Sequence, residues 1–329
     1  MKPAFKSIAP ILPLALAATF GAVYAAPAEA ARGFDVRDLQ KLDRVSSPVL
    51  SPDGSLLVFA KREMLGGSGQ DLGKASTSLW IRDLRTRDLA PPKRLSPVGW
   101  NVNSPAFSAD GQWLYFLSAQ SGSQQVYVMP ATGGAPRQAT QLPLDVGSFK
   151  VAPDGRRLAV SMELSPDCGA DLACTVKRLD QRKASQSSGV VYDQLFVRHW
   201  DTWEDGRHNR LFVTTPSTGK APQEVSLVDS AAGSPGPGNV PSKPFGGNDE
   251  YTWSPDGESI VFAMRRADRK EAWSTDFDLY EYRVGQPLKS LTFDDRTDPT
   301  AASPGPQGQN RAWDTGPVFS ADGRTLYYR

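Results

Sequence analysis

Tyr251-Thr-Trp-Ser-Pro-Asp-Gly-Glu-Ser-Ile-Val-Phe262 decides how this chain is read. An apolar strand end runs into Ser-Pro-Asp-Gly, and a second strand then closes on an aromatic residue. Pro suits the second position of a tight turn, Asp can bond the local backbone, and Gly takes the positive φ needed next. The pattern recurs in Pro48-Val-Leu-Ser-Pro-Asp-Gly-Ser-Leu-Leu-Val-Phe59 and Pro105-Ala-Phe-Ser-Ala-Asp-Gly-Gln-Trp-Leu-Tyr-Phe116. It returns again in Phe149-Lys-Val-Ala-Pro-Asp-Gly-Arg-Arg-Leu-Ala-Val160 and Pro317-Val-Phe-Ser-Ala-Asp-Gly-Arg-Thr-Leu-Tyr-Tyr328. One such tetrapeptide is weak evidence. Five with matching flanks are a repeat.

Each hairpin is followed by a third apolar stretch: Ser78–Leu84, Gln125–Met129, Arg210–Thr214 and Asp278–Tyr282. A short fourth stretch comes next: Lys93–Ser96, Arg137–Thr140, Gln223–Ser226 and Lys289–Thr292. The turns begin at Ser51, Ser108, Ala152, Ser254 and Ser320, and the distance from Ala152 to Ser254 is about twice the usual one. Because Val160 to Arg210 holds no further Asp-Gly hairpin of this type, that gap reads as one unit carrying an insertion over 163–208. The expected fold is all-β: an incomplete β-propeller of about four and a half four-stranded blades. The blades fall at about 48–96, 105–140, 148–227, 249–292 and 317–329, the last cut short. Lone blades expose apolar faces and need neighbours, so a chain stopping two strands into a repeat is expected to be part of a longer one.

Composition agrees. The 29 Gly and 27 Pro suit many tight turns better than helical repeats. With 37 Lys+Arg against 36 Asp+Glu, no overall charge argues for nucleic acid or an anionic membrane surface.

Residues 1–25 read as a signal peptide. Lys2 and Lys6 precede an almost wholly apolar or small run from Ile8 to Tyr24, and Val23-Tyr24-Ala25 offers a cleavage site before Ala26. Pro10, Pro13 and the short Ala-rich core argue against a membrane anchor. Residues 26–47 form a lead-in, and the expected location is periplasmic or secreted, with no membrane attachment after cleavage. The only cysteines, Cys168 and Cys174, fit a local disulfide in such a compartment, adding on the order of 2 kcal/mol. A zinc site would need two more ligands, and no cofactor is expected.

The repeats resemble TolB-type propeller repeats. The leader, then Val36-Arg-Asp-Leu-Gln-Lys-Leu-Asp-Arg-Val-Ser-Ser-Pro48, resembles the N-terminal part of secreted bacterial serine peptidases of the prolyl oligopeptidase family. The branch is that of dipeptidyl and acylaminoacyl peptidases, supported by Asp167–Thr175 and by Tyr192-Asp-Gln-Leu-Phe-Val-Arg-His-Trp-Asp-Thr-Trp-Glu-Asp-Gly206. The resemblance implies a substrate-gating propeller that caps a C-terminal α/β-hydrolase domain holding Ser, Asp and His. Peptides with a free or acylated N-terminus would be the substrates. The chain departs from the family in lacking Gly-x-Ser-x-Gly, and its two histidines, His199 and His208, sit in the insertion. The hydrolase domain is therefore expected to be absent here, and the chain alone inactive. A non-enzymatic TolB-like periplasmic propeller that binds proteins is the alternative.

Within the insertion, Arg198, Asp201, Trp203 and Glu204 are the candidate substrate-binding residues. Asp201 and Glu204 could hold a terminal amine, Arg198 a backbone carbonyl, and Trp203 with Trp200 could wall the pocket. The same aromatic and charged residues could instead seal a domain interface. The recurring Asp53, Asp110, Asp154, Asp256 and Asp322 need no metal to explain them; turn chemistry suffices.

Overall fold

The structure is a computed structural model describing residues 33–65, 74–85, 90–193, 195–217, 224–228, 238–265, 272–283, 286–292 and 313–329. The expected signal segment 1–25 and the start of the lead-in lie outside the described residues, as do the Gly- and Pro-containing runs 231–237 and 301–310. A short helix, α1 (Val36–Lys41), belongs to one unit; residues 42–329 form the other.

Among the described residues of that second unit the chain builds one sheet four times, each from four antiparallel strands that follow one another in sequence except in the third, where an insertion intervenes. The first sheet has β1 (Arg44–Leu50), β2 (Leu56–Met64), β3 (Ala75–Asp83) and β4 (Lys93–Arg94). The second has β5 (Asn103–Phe107), β6 (Trp113–Ser118), β7 (Gln125–Pro130) and β8 (Arg137–Gln138). The third opens with β9 (Ser148–Val151) and β10 (Leu158–Leu164). An insertion follows, carrying α2 (Leu172–Ala184) and the two-residue strands β11 (Arg198–His199) and β12 (Thr202–Trp203). The sheet then resumes with β13 (His208–Thr214) and β14 (Val225–Leu227). The fourth comprises β15 (Tyr251–Trp253), β16 (Ser259–Met264), β17 (Asp278–Arg283) and β18 (Lys289–Ser290), and a hairpin of β19 (Val318–Phe319) and β20 (Leu326–Tyr327) comes last. Among the described residues the architecture is thus mostly sheet with one long helix, and α2 is an element that the repeat pattern did not announce.

The five turns are built alike. Gly54, Gly111, Gly155, Gly257 and Gly323 have φ between 67° and 71°, a region that only glycine enters without strain. Each turn Asp accepts the backbone N–H two residues on, as Asp53 does from Ser55 at 3.0 Å and Asp322 from Arg324 at 3.1 Å. Four turn serines, Ser51, Ser108, Ser254 and Ser320, donate to that carboxylate and accept the N–H five residues on. Hydrogen bonds from Ser51 and Ser55 hold the Asp53 carboxyl at about 2. These carboxylates serve the backbone of their own turns.

β1 begins at Arg44, within the stretch read as lead-in, because the ladder to β2 slips between Ser46 and Val49. Pro48 has no N–H to give there, and Ser47 takes φ 50°. β5 repeats the device between Asn103 and Ala106, with Ser104 at φ 52° and Pro105 beside it.

Strand alternation stacks the sheets face to face. Leu114, Phe116 and Tyr127 of the second sheet meet Val58, Ala60 and Leu79 of the first. On its other face Tyr115, Leu117 and Val128 meet Leu158, Val160 and Phe212 of the third. Ala159 and Leu211 then meet Ile260, Phe262 and Tyr280 of the fourth, whose Val261, Ala263 and Leu279 receive Phe319 and Leu326. Each sheet thus turns a bulky row toward its predecessor. In the first sheet that row is Phe59 opposite Trp80, and it is overlaid by charge instead. Lys61 and Arg94 lie 4.6 and 5.1 Å from the Trp80 ring centroid, and Glu63 pairs with both.

Candidate functional site

The insertion leaves the third sheet between Leu164 and His208, which face each other across β10 and β13. Its first part is stapled. Cys168 and Cys174 form a disulfide, the Asp171 carboxylate caps α2 by accepting from the Cys174 N–H at 3.0 Å, and Arg178 pairs with Asp167. Leu172, Val176 and Leu179 of α2 pack on the apolar layer between the second and third sheets. The helix thereby carries Arg182 to the carbonyl of Asp205, 3.2 Å away.

A cavity of about 610 Å³ opens beside this helix. Its apolar wall includes Leu195, Phe196, Phe245, Phe277 and Trp313, the last two stacked with centroids 4.7 Å apart. Asp193 and Glu204 supply carboxylates to the lining, and Arg182 and Arg265 supply cations. Arg265 lies 5.0 Å from the Phe277 centroid and donates to the Ser274 carbonyl at 2.8 Å.

A charged lattice underpins the cavity. Glu163, near the end of β10, holds Arg207 at 2.7 Å and Lys243 at 2.8 Å. Arg207 also holds Asp205 at 2.7 Å, and Lys243 donates to the Arg207 carbonyl at 2.9 Å. Burial works to raise the Asp205 carboxyl. The Arg207 N–H and guanidinium, with the Lys243 charge, outweigh it and hold the group below the usual carboxylate range. The arrangement sets carboxylates and guanidinium groups beside an apolar wall.

The four residues singled out from sequence are not gathered in one place. Glu204 lines the cavity, and its N–H closes the β11–β12 hairpin on the Val197 carbonyl at 3.0 Å. Arg198 and Trp203 face each other across that hairpin, with the guanidinium 5.5 Å from the ring centroid. Trp203 stacks in turn on Tyr192 at 6.1 Å. Asp201 lies exposed at the hairpin tip. Beside it Trp200, at φ 50°, joins His199 and Phe245 in an aromatic trio with centroids 5.1 to 5.2 Å apart. Lys243, Phe245, Phe277 and Trp313 went unmarked in the sequence because they sit outside the insertion, in loops between repeats or at strand ends. An aromatic residue inside a Gly- and Pro-rich run, as in Pro241-Ser-Lys-Pro-Phe245, was the available signal.

No protein-family model matches the chain. Dipeptidyl-peptidase 5 of Porphyromonas gingivalis is 27% identical over 286 residues, which cover 87% of this chain and 37% of that protein. The chain thus spans a little over a third of the length of this curated relative. Among solved structures, the acylaminoacyl peptidase of Pyrococcus horikoshii superposes with a TM-score of 0.51 at 16% identity, covering 77% of this chain and 33% of that one. An acylaminoacyl peptidase in complex with Z-Gly-Gly-Phe-chloromethyl ketone gives 0.53 at 15% identity, covering 79% and 34%. At these identities the structural likeness speaks for the fold. The chain resembles the propeller part of prolyl oligopeptidase family peptidases.

Proposed function

We propose that this chain is the substrate-gating propeller of an exported serine exopeptidase of the prolyl oligopeptidase family, of dipeptidyl- or acylaminoacyl-peptidase type. It acts joined to an α/β-hydrolase domain that supplies Ser, Asp and His. In this reading the four sheets are four blades, β19 and β20 open a fifth, and residues 1–25 direct export to the periplasm or beyond. The observation that carries the reading is the alignment of 87% of the chain with a dipeptidyl-peptidase 5.

The cavity fits this role. An exopeptidase must hold a chain end, and Glu204 with Asp193 offers carboxylates for a protonated amine beside an apolar wall. The β11–β12 hairpin and α2 both contribute to the lining, and in this reading they restrict access to short, flexible peptides.

The test is to express the gene product with whatever follows Arg329 and assay dipeptidyl and N-acetyl-aminoacyl 4-nitroanilides beside a folded protein substrate. Hydrolysis of the short substrates, blocked by a serine-reactive phosphonate, is the expected result. A product without amidase activity on either substrate would remove the reading.

A further inference from the structure

The Asp-Gly turns stack at the end of the sheets away from the insertion, and their contacts follow a rule. A Cβ built on Gly111 would stand 3.3 Å from Cδ of Pro52 in the turn before. One on Gly257 would stand 3.7 Å from Pro153, and one on Gly323 3.5 Å from Pro255. At each of these junctions a proline ring seats against the left-handed glycine of the next turn. The second-to-third junction breaks the rule. Ala109 stands where the proline would be, and among the described residues nothing lies within 4 Å of a Cβ on Gly155.

A groove of about 830 Å³ occupies that junction, with both Ala109 and Gly155 in its lining. Trp113, 38% exposed, forms one wall, with the Arg137 guanidinium 5.8 Å from its ring centroid. Tyr115, Gln138 and Pro216 are among the other residues that line it. We propose that this groove binds an extended, proline-containing peptide in trans, one ring taking the seat that Pro52, Pro153 and Pro255 fill at the other junctions.

Three observations favour that occupant. The vacant seat has a known complement, because the protein itself fills it with proline three times. The groove pairs the Trp113 ring with the Arg137 guanidinium, which gives one N–H to the Ser217 carbonyl at 3.5 Å and carries others. A polyproline-type strand, which makes no hydrogen bonds of its own, offers its carbonyls to such groups. Finally, Asp110 and Asp154 accept from the backbone N–H groups of Gln112 and Arg156 at 3.0 and 2.9 Å, so the lining carboxylates already serve their turns.

Titration calorimetry on the full chain tests this with Ac-Ala-Pro-Pro-Ala-Pro-NH2 against Ac-Ala-Ala-Ala-Ala-Ala-NH2. The proline peptide should bind at least tenfold more tightly. Ala109→Pro, which restores the residue that three sister turns carry, should weaken binding at least tenfold without lowering the melting temperature. Trp113→Ala should weaken it as well. Equal binding of the two peptides, undiminished binding by Ala109→Pro, or no binding by the unmodified chain would overturn the proposal. So would tighter binding after residues 301–310 are replaced by a Gly-Ser linker, which would make the chain's own Pro304 and Pro306 run the occupant. Saccharide binding in place of the peptide would overturn it too.

Discussion

Arg157 of the third turn donates to the carbonyl of Gly257 in the fourth, 2.7 Å away, with its guanidinium 5.3 Å from the Trp253 ring centroid. One side chain thus bridges two sheets at the point where Pro153 also meets Gly257. The ion pairs of Arg157 with Asp154 and Glu258 are partly solvated and add little. The charge-assisted hydrogen bond and the ring contact together contribute about 2 kcal/mol. Arg157→Ala should lower unfolding stability by about that amount in urea melts, and Arg157→Lys by less. An Ala variant as stable as the parent would refute the bridge.

Lys150, on β9, gives the fold a titration at alkaline pH. Burial is the main force that lowers its amine, to about 8 from the ordinary 10.5, with the Asp249 charge pulling the other way. Its Nζ lies 5.7 Å from the Tyr251 ring centroid. The folded state therefore binds this proton more weakly than the unfolded chain, and the group penalises folding below pH 8. That penalty is relieved as pH rises from about 8 to 10.5. Lys150→Met should be more stable than the parent at pH 7, with the difference shrinking across that window. A difference that does not vary between pH 7 and 10.5 would mean that Lys150 titrates normally.

The turns were legible because five copies of one tetrapeptide repeat the same backbone chemistry, and each copy can be read locally. The helix α2 was legible in principle. Leu172, Val176 and Leu179 recur at helical spacing, but a strand-based repeat on both sides masked a stripe of only three residues. The cavity could not be assembled from sequence. Its walls come from α2, the β11–β12 hairpin, the 239–245 loop and the segments around Phe277 and Trp313, which only the stacking of sheets brings together. Proximity in sequence joined Asp201 to Glu204, whereas a hairpin tip separates their environments.

The Cys168–Cys174 disulfide closes a short loop at the start of α2, so its effect should be local. Reduction should lower global stability by no more than about 2 kcal/mol. It should, however, release the helix start that Asp171 caps and speed proteolysis within 165–190 severalfold. Limited digestion with and without reductant, followed by mass spectrometry, reads this directly. Cleavage spread evenly over the chain would show that the staple is global instead.

Glu204 and Asp201 make the sharpest test of the cavity, since one lines it and the other stands exposed at the hairpin tip. If the cavity holds a substrate amine, Glu204→Gln removes the negative charge but keeps the side-chain size. The loss of one charge-assisted contact, about 1.5–3 kcal/mol, corresponds to at least a tenfold rise in KM. That rise should appear in the joined enzyme for free-amine dipeptidyl substrates and should be absent for N-acetylated ones, which carry no positive end. Asp201→Ala should leave both unchanged. Arg198→Ala, which breaks the contact with Trp203, should loosen the hairpin and raise KM for both substrates alike. Equal effects of Glu204→Gln on acetylated and free-amine substrates would show that Glu204 shapes the cavity without meeting the amine.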